Sequence, residues 1–160
     1  TGSLDTAKPG GRATPLDSPD VNARRSVYVF VDRYEQPTVP AMFDFANPDC
    51  HSPQRFVTTV PQQALFLMNS PFMRSQAERL AAPPPDAAGA ADAHVIETLY
   101  RRVLQREPGP GEVELALRFI SDARSLQSPA FLRPGRTRPQ SALSQFAQVL
   151  LMSNEFQFSD

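Results

Sequence analysis

The chain contains no tryptophan, two histidines and a single cysteine, Cys50. A lone cysteine forms no intrachain disulfide, and neither an all-cysteine metal site nor a Cys-x-x-Cys-His haem attachment can be written from it. Glycine is sparse, at 7 of 160 residues. No Gly-rich phosphate loop, Walker pattern, Gly-x-Ser-x-Gly elbow or His-Glu-x-x-His helix occurs. The usual general bases and nucleophiles are therefore scarce. Charge bias is also missing, with 16 Lys+Arg against 17 Asp+Glu, which weighs against a general nucleic-acid binder or a polybasic membrane-surface protein. No apolar run reaches the roughly 18 residues of a membrane span. The chain opens with neither a methionine nor a signal-peptide pattern. It reads as a piece of a longer protein, and the missing leader says nothing about export.

What is abundant is proline, at 17 residues, gathered outside the apolar segments as loop and helix-start markers. Residues 1–21 are polar and broken by Gly and Pro, too poor in apolar side chains to offset the cost of ordering, and read as a linker arm. Residues 22–160 read as one domain, long enough to bury about two thirds of the surface it would expose unfolded. Ser26–Asp32 (SVYVFVD) is rich in β-branched and aromatic residues and reads as a strand. Residues 33–58 read as irregular, held by Pro37, Pro40, Pro48 and Pro53, with a short extended piece at Met42–Phe45.

Helical patterning dominates the rest. Thr59 and Gln62 have capping-box spacing, Pro61 suits a first turn, and Pro61, Ala64, Leu65 and Met68 make one apolar face. Ser70 before Pro71 starts a second helix, 71–81, buried through Phe72 and Leu80. After the linker 82–91, Asp92 caps a helix over 93–105 with face Ile96, Leu99, Tyr100 and Val103, flanked by Val95 and Leu104, and with a Glu97–Arg101 surface pair. Pro108-Gly109-Pro110-Gly111 forces a turn into a helix over 110–124, with Glu112 in its first turn and Val113, Ala116, Leu117 and Ile120, supported by Phe119, facing inward. These two form an antiparallel hairpin. Beyond a loop at 125–139, a last helix over 140–153 buries Leu143, Phe146, Ala147, Leu150 and Leu151. Asn154 then ends it in a left-handed conformation, and Phe156 and Phe158 alternate as a docking strand would. Each helix carries one apolar stripe, so each must cover the others. The fold class is mainly α: a small helical bundle with an antiparallel helix hairpin and a minor β element near its N-terminal side.

The strings RRSVYVF at 24–30, MFDFANPDC at 42–50 and RFVTTVPQQALFLMNSPFM at 55–73 carry a resemblance, joined by ETLYRRVLQREPGPGEVELALRFI at 97–120 and LLMSNEFQFSD at 150–160. Together they make residues 22–160 similar to the C-terminal domain of unknown function of planctomycete cytochrome-c-type surface proteins, a planctomycete secreted domain. The resemblance implies an exported protein of the periplasm or cell envelope, with this domain following other modules, often a haem-bearing one. It implies no cofactor in this chain, haem c in a sibling domain, and no catalytic residue. The Ala- and Pro-rich 82–91 and the long 125–139 segment depart from the family pattern as insertions.

Candidate chemistry is set beside plainer readings. Cys50 and His51 with Asp44 and Asp49 offer S, N and O ligands within eight residues, although a buried structural cysteine explains the same letters. Asp44 and Asp49, with Glu112, are the carboxylates for glycoside hydrolysis, which needs a pair roughly 5–10 Å apart with one raised pKa. Arg24, Arg25, Arg33 and Arg55 read as an ion-pair network pinning the 33–58 loop, or as a site for an anionic glycan. Gln63 and Asn69, where buried, need partners, and loop backbone groups are the natural ones. Arg102 and Arg106 repel at i, i+4, which calls for acidic partners such as Glu107 or Glu155. Arg133, Arg136 and Arg138 form a basic loop with only Phe131 for stacking, too little for nucleic acid. The leading expectation is a non-catalytic interaction or structural module of an exported multidomain envelope protein, packing against sibling domains of the same polypeptide or a polysaccharide. The alternatives are a carbohydrate-active enzyme domain using Asp44 or Asp49, and an accessory domain docking onto a c-type cytochrome module.

Overall fold

The computed structural model describes residues 1–7, 10–13, 24–32, 34, 38–46, 51, 53, 60–82, 91–127 and 140–158. Among these the regular structure is helical: α1 Thr38–Met42, α2 Pro61–Asn69, α3 Pro71–Ala81, α4 Asp92–Leu104, α5 Pro110–Leu126, α6 Ala142–Leu151 and α7 Asn154–Gln157. No strand occurs among the described residues, and no helix is long and apolar enough to cross a membrane. The chain divides into two compact units, Thr1–Phe66 and Leu67–Asp160.

In the unit 67–160, proline sets the starts and apolar stripes set the packing. Pro71 and Pro110 occupy first turns, where a missing N–H leaves no bond unmade. α4 buries the expected stripe, Ile96, Leu99, Tyr100 and Val103. α5 answers with Ala116, Ile120 and Ala123. α6 packs against α3, α4 and α5 and buries Ala142, Phe146, Ala147, Leu150 and Leu151. Ala77 of α3 and Ala147 of α6 are wholly enclosed, small side chains that let backbones approach closely. Ile96, Leu99 and Ile120 are the largest side chains with almost no exposed surface, each worth about 1.5–3 kcal/mol of apolar burial. Phe146 lies against Tyr100 at 6.3 Å and Phe119 at 6.0 Å between ring centres.

An ion pair at one end and a tight reversal at the other show that α4 and α5 run antiparallel, as expected. Asp92 in the first turn of α4 takes two hydrogen bonds from Arg124 in the last turn of α5, at 2.6 and 2.8 Å. At the other end, α4 stops at Gln105, whose φ of 56° and ψ of 24° are left-handed, and the chain reverses within five residues into α5.

The unit 1–66 is built differently. Gln63 sits at the third position of α2. Its Oε1 accepts from the Val60 N–H at 3.4 Å, and its Nε2 donates to the Met42 carbonyl at 3.0 Å. Phe43 meets Phe66 edge-on, at 5.7 Å and 78°. Among the described residues of this unit, Val29 is the buried hydrophobic residue.

Several expectations are corrected. The strand over 26–32 is absent: Ser26–Tyr28 is a 3-10 turn, closed by Tyr28 N–H to Arg25 O and Val29 N–H to Ser26 O, both at 3.0 Å, and only Val29 makes an isolated bridge. β-rich letters need a partner strand of matching length; among the described residues none runs beside this segment, and its backbone turns onto itself. The extended piece at 42–45 is the end of α1 followed by a turn, in which Phe43 and Phe45 donate to the Pro40 carbonyl. The docking strand at 156–158 is replaced by α7, whose start is capped by Ser153 Oγ accepting from the Phe156 N–H at 3.3 Å. Asn154 opens that helix, and α6 ends at Leu151 with Met152 as its C-cap.

The stripe expected on α2 points outward, with Pro61, Ala64, Leu65 and Met68 exposed and Phe66 and Leu67 half-buried. Residues 64–68 are all apolar, so spacing alone cannot choose a face there. Phe72 is exposed, and α3 buries Met73, Ala77, Leu80 and Ala81. Leu117 also lies outward on α5.

Candidate functional site

Among the described residues, the group of ionisable side chains with the most mutual bonds is at the α4–α5 reversal, around Arg106. Proline at the first position of α5 makes Gly109 the N-cap residue. Glu112, three residues on, turns back so that its Oε2 accepts the Gly109 N–H at 2.7 Å. This is the carboxylate half of a capping box, on a residue with no side chain of its own to contribute. Arg106 Nη1 and Nη2 donate to the two oxygens of Glu112 at 2.8 and 2.7 Å. Its Nε and Nη2 donate to Glu155 of α7 at 2.6 and 2.9 Å, and Nη1 also reaches the Glu107 carbonyl at 3.0 Å. These five bonds match the five N–H donors of a guanidinium. The same group lies over the Tyr100 ring, 5.3 Å from its centre, a cation–π arrangement.

Electrostatics follow from this geometry. Hydrogen bonding to Arg106, then the Gly109 N–H, brings the Glu112 carboxyl from 4.5 down to about 2. Hydrogen bonding to Arg106 also holds Glu155 below its ordinary value, while the Glu112 charge pushes the other way. Both carboxylates hold Arg106 firmly protonated. Burial, then the nearby Glu112 charge, pushes the Tyr100 hydroxyl up. A glycosidase acid needs a carboxyl with a raised pKa, and both carboxylates here go the opposite way. The arrangement suits holding the end of α4, the start of α5 and the short helix α7 together.

At the far end of the hairpin, hydrogen bonding to Arg124 lowers the Asp92 pKa. Asp92 is the first helical residue, with Ala91 as the N-cap, so it serves as an ion-pair partner rather than the expected cap. The Glu97–Arg101 pair gives way to Arg101–Glu107 at 2.6 Å, with Glu97 near His94 at 3.9 Å. The reversal brings Glu107 within reach of Arg101, and spacing along one helix cannot register that. The expectation that Arg106 finds Glu155 is met.

Of the residues singled out in the unit 1–66, Arg24 donates to the Gly10 carbonyl at 2.5 Å and the Arg12 carbonyl at 3.4 Å, and its guanidinium lies 4.5 Å from the Tyr28 ring centre. Arg25 is the exposed N-cap of the 3-10 turn. Asp44 is half-buried in the turn after α1 with φ of 56°, a left-handed conformation that a short polar side chain tolerates. His51 is exposed. Gln63 makes the two bonds given above; Asn69, in the unit 67–160, is the exposed last residue of α2. Arg33, Asp49, Cys50, Arg55 and Thr59 lie outside the described residues, as do Phe131, Arg133, Arg136 and Arg138. No group of three or more His, Cys, Asp and Glu able to hold a metal is assembled among the described residues.

Residues 2–120 match PSD1, Protein of unknown function (DUF1553). The chain belongs to the PSD1 family. The PSD1 match takes in Arg106 and Glu112 and stops before Glu155. It starts earlier and ends earlier than the 22–160 span of the resemblance, so α6 and α7 lie beyond it. No curated protein and no solved structure matches the chain.

One polar residue escaped the sequence reading altogether. Gln148, buried on α6, donates through Nε2 to the Leu67 and Met68 carbonyls, both at 2.9 Å. These are late carbonyls of α2: Pro71, with no N–H, cannot serve Leu67, and Met68 lies in the last turn, where the helix ends. The proline was a readable signal that acceptors would be orphaned; which glutamine answers was not.

Proposed function

We propose that this PSD1 chain is a non-catalytic interaction module of an exported, multidomain planctomycete-type envelope protein. It packs against sibling domains of its own polypeptide or against a polysaccharide, and it holds its partners in place. One sibling is a c-type cytochrome module carrying the haem. The observation that carries the non-catalytic reading is the Arg106 group, where every guanidinium donor is taken up inside the chain and both carboxylates are held ionised. Such residues brace a fold and leave no proton to give. The TTVPQQALFLMNSPF string at 58–72 supports the envelope assignment through its resemblance to the secreted domain. Arg24, Arg25, Arg33, Cys50, Arg55, Gln63 and Asn69 then serve to pin loops.

The test is direct. The purified chain is incubated with panels of glycans and esters, and the intact parent polypeptide is cross-linked and mapped by mass spectrometry. The expected result is no turnover, with cross-links from this module to sibling domains. Hydrolysis that disappears in Asp44→Asn or Asp49→Asn overturns the proposal and installs the glycosidase reading.

A further inference from the structure

Arg106 holds two carboxylates by unequal means. Glu112 is tied three ways: to Nη1 and Nη2 of Arg106 and to the Gly109 N–H. It also stands in the first turn of the 17-residue α5, where the helix dipole favours a negative charge. Among the described residues Glu155 is bonded by Arg106 alone, through Nε and Nη2, and it sits on the four-residue α7.

That helix has little else to hold it. It has no buried residue, and Phe156 and Phe158 are exposed. It touches α4 and α6, and its other anchors are the Ser153 cap, the Ser153 hydroxyl donating to the Leu150 carbonyl at 2.7 Å, and Gln157 Nε2 donating to the Leu151 carbonyl at 2.7 Å. A four-residue helix with no fully buried side chain is marginal by itself, so losing the ion pair tips it toward release.

We propose that α7 is an acid-releasable latch, held to the α4–α5 reversal through Glu155 and Arg106 and able to come away while Arg106 stays clamped on Glu112. Four titratable groups face one another here: Tyr100 from α4, Arg106 from the reversal, Glu112 from α5 and Glu155 from α7. Tyr100 and Arg106 are both raised and keep their protons throughout the acid range. Glu155 is lowered from 4.5, with the Glu112 charge opposing the shift, while Glu112 goes down to about 2. A depressed folded pKa gives stability that is present above the ordinary value and lost as pH falls through the folded one. The latch therefore opens below about pH 4.5, and the Glu112 clamp yields only near pH 2. Release uncovers the Arg106 edge that Glu155 occupies.

Amide hydrogen exchange by NMR on the full chain, expressed as protection relative to the intrinsic rate at each pH, tests this. The reporters for α7 are the Phe156, Gln157 and Phe158 amides, bonded to Ser153 and Asn154 carbonyls. Those for α5 are the Glu112 and Val113 amides, bonded to the Gly109 carbonyl. In Glu155→Gln at neutral pH the α7 protection is lost and the α5 protection is kept. Acidifying the unaltered chain reproduces that order, α7 before α5. Unchanged α7 protection in Glu155→Gln, or α7 and α5 losing protection together on acidification, overturns the proposal.

Discussion

The units 67–160 and 1–66 are held together by different physics. Among the described residues of the first, one-sided helices bury sixteen apolar side chains against one another; among those of the second, Val29 alone falls in that class. There the order rests on directed contacts: Gln63 to the Met42 carbonyl, Phe43 edge-on to Phe66, and Arg24 to the Gly10 and Arg12 carbonyls. Burial is non-directional and tolerates small errors of placement, whereas a side chain bonded to a particular carbonyl must be in one place. A helical stripe therefore announces itself in sequence, and a loop-pinning glutamine does not.

If the comparison holds, the largest effect comes from the bundle core. Ile96→Ala and Ile120→Ala, at fully enclosed positions, each cost about 2–5 kcal/mol in chemical denaturation; a loss under about 1 kcal/mol would mean that the core is looser than its burial implies. Gln148→Ala leaves the Leu67 and Met68 carbonyls without their donor and costs about 1–3 kcal/mol by the same measurement, placing a directed bond inside the stripe-built unit. Below these falls the exposed Asp92–Arg124 pair: a double-mutant cycle of Asp92→Asn and Arg124→Gln yields a coupling of about 0.2–1 kcal/mol that shrinks in high salt. The finest test is a pH slope. Glu112 goes down to about 2 in the folded chain, so its contribution is full above about pH 4.5 and drains away toward pH 2. Denaturation midpoints followed over that range should fall more gently in Glu112→Gln than in the unaltered chain.

The stripes on α4 and α6 were legible because Ile96, Leu99, Tyr100 and Val103, like Phe146, Ala147, Leu150 and Leu151, repeat at helical spacing. The run 64–68 was not, since it is apolar at every position and Phe43, a residue far away in sequence, helps to choose its face. Ser26–Asp32 misled because strand propensity is a preference for a neighbour, and no letter in the segment supplies one. At the candidate site, Glu155 was reachable from Arg106 by charge logic. Its sharing of one guanidinium with Glu112 depended on the tertiary position of α7, which no local pattern encodes. Arg101 turned to Glu107 for the same reason.

One small arrangement has a practical corollary. The Gln140 carbonyl accepts from Gln127 Nε2 at 2.6 Å and from Gln145 Nε2 at 3.1 Å, which staples the end of α5 to the approach of α6. That carbonyl is thus satisfied twice over, and either amide alone still engages it. Gln127→Ala or Gln145→Ala singly should therefore be felt less than the double replacement, which leaves the acceptor orphaned.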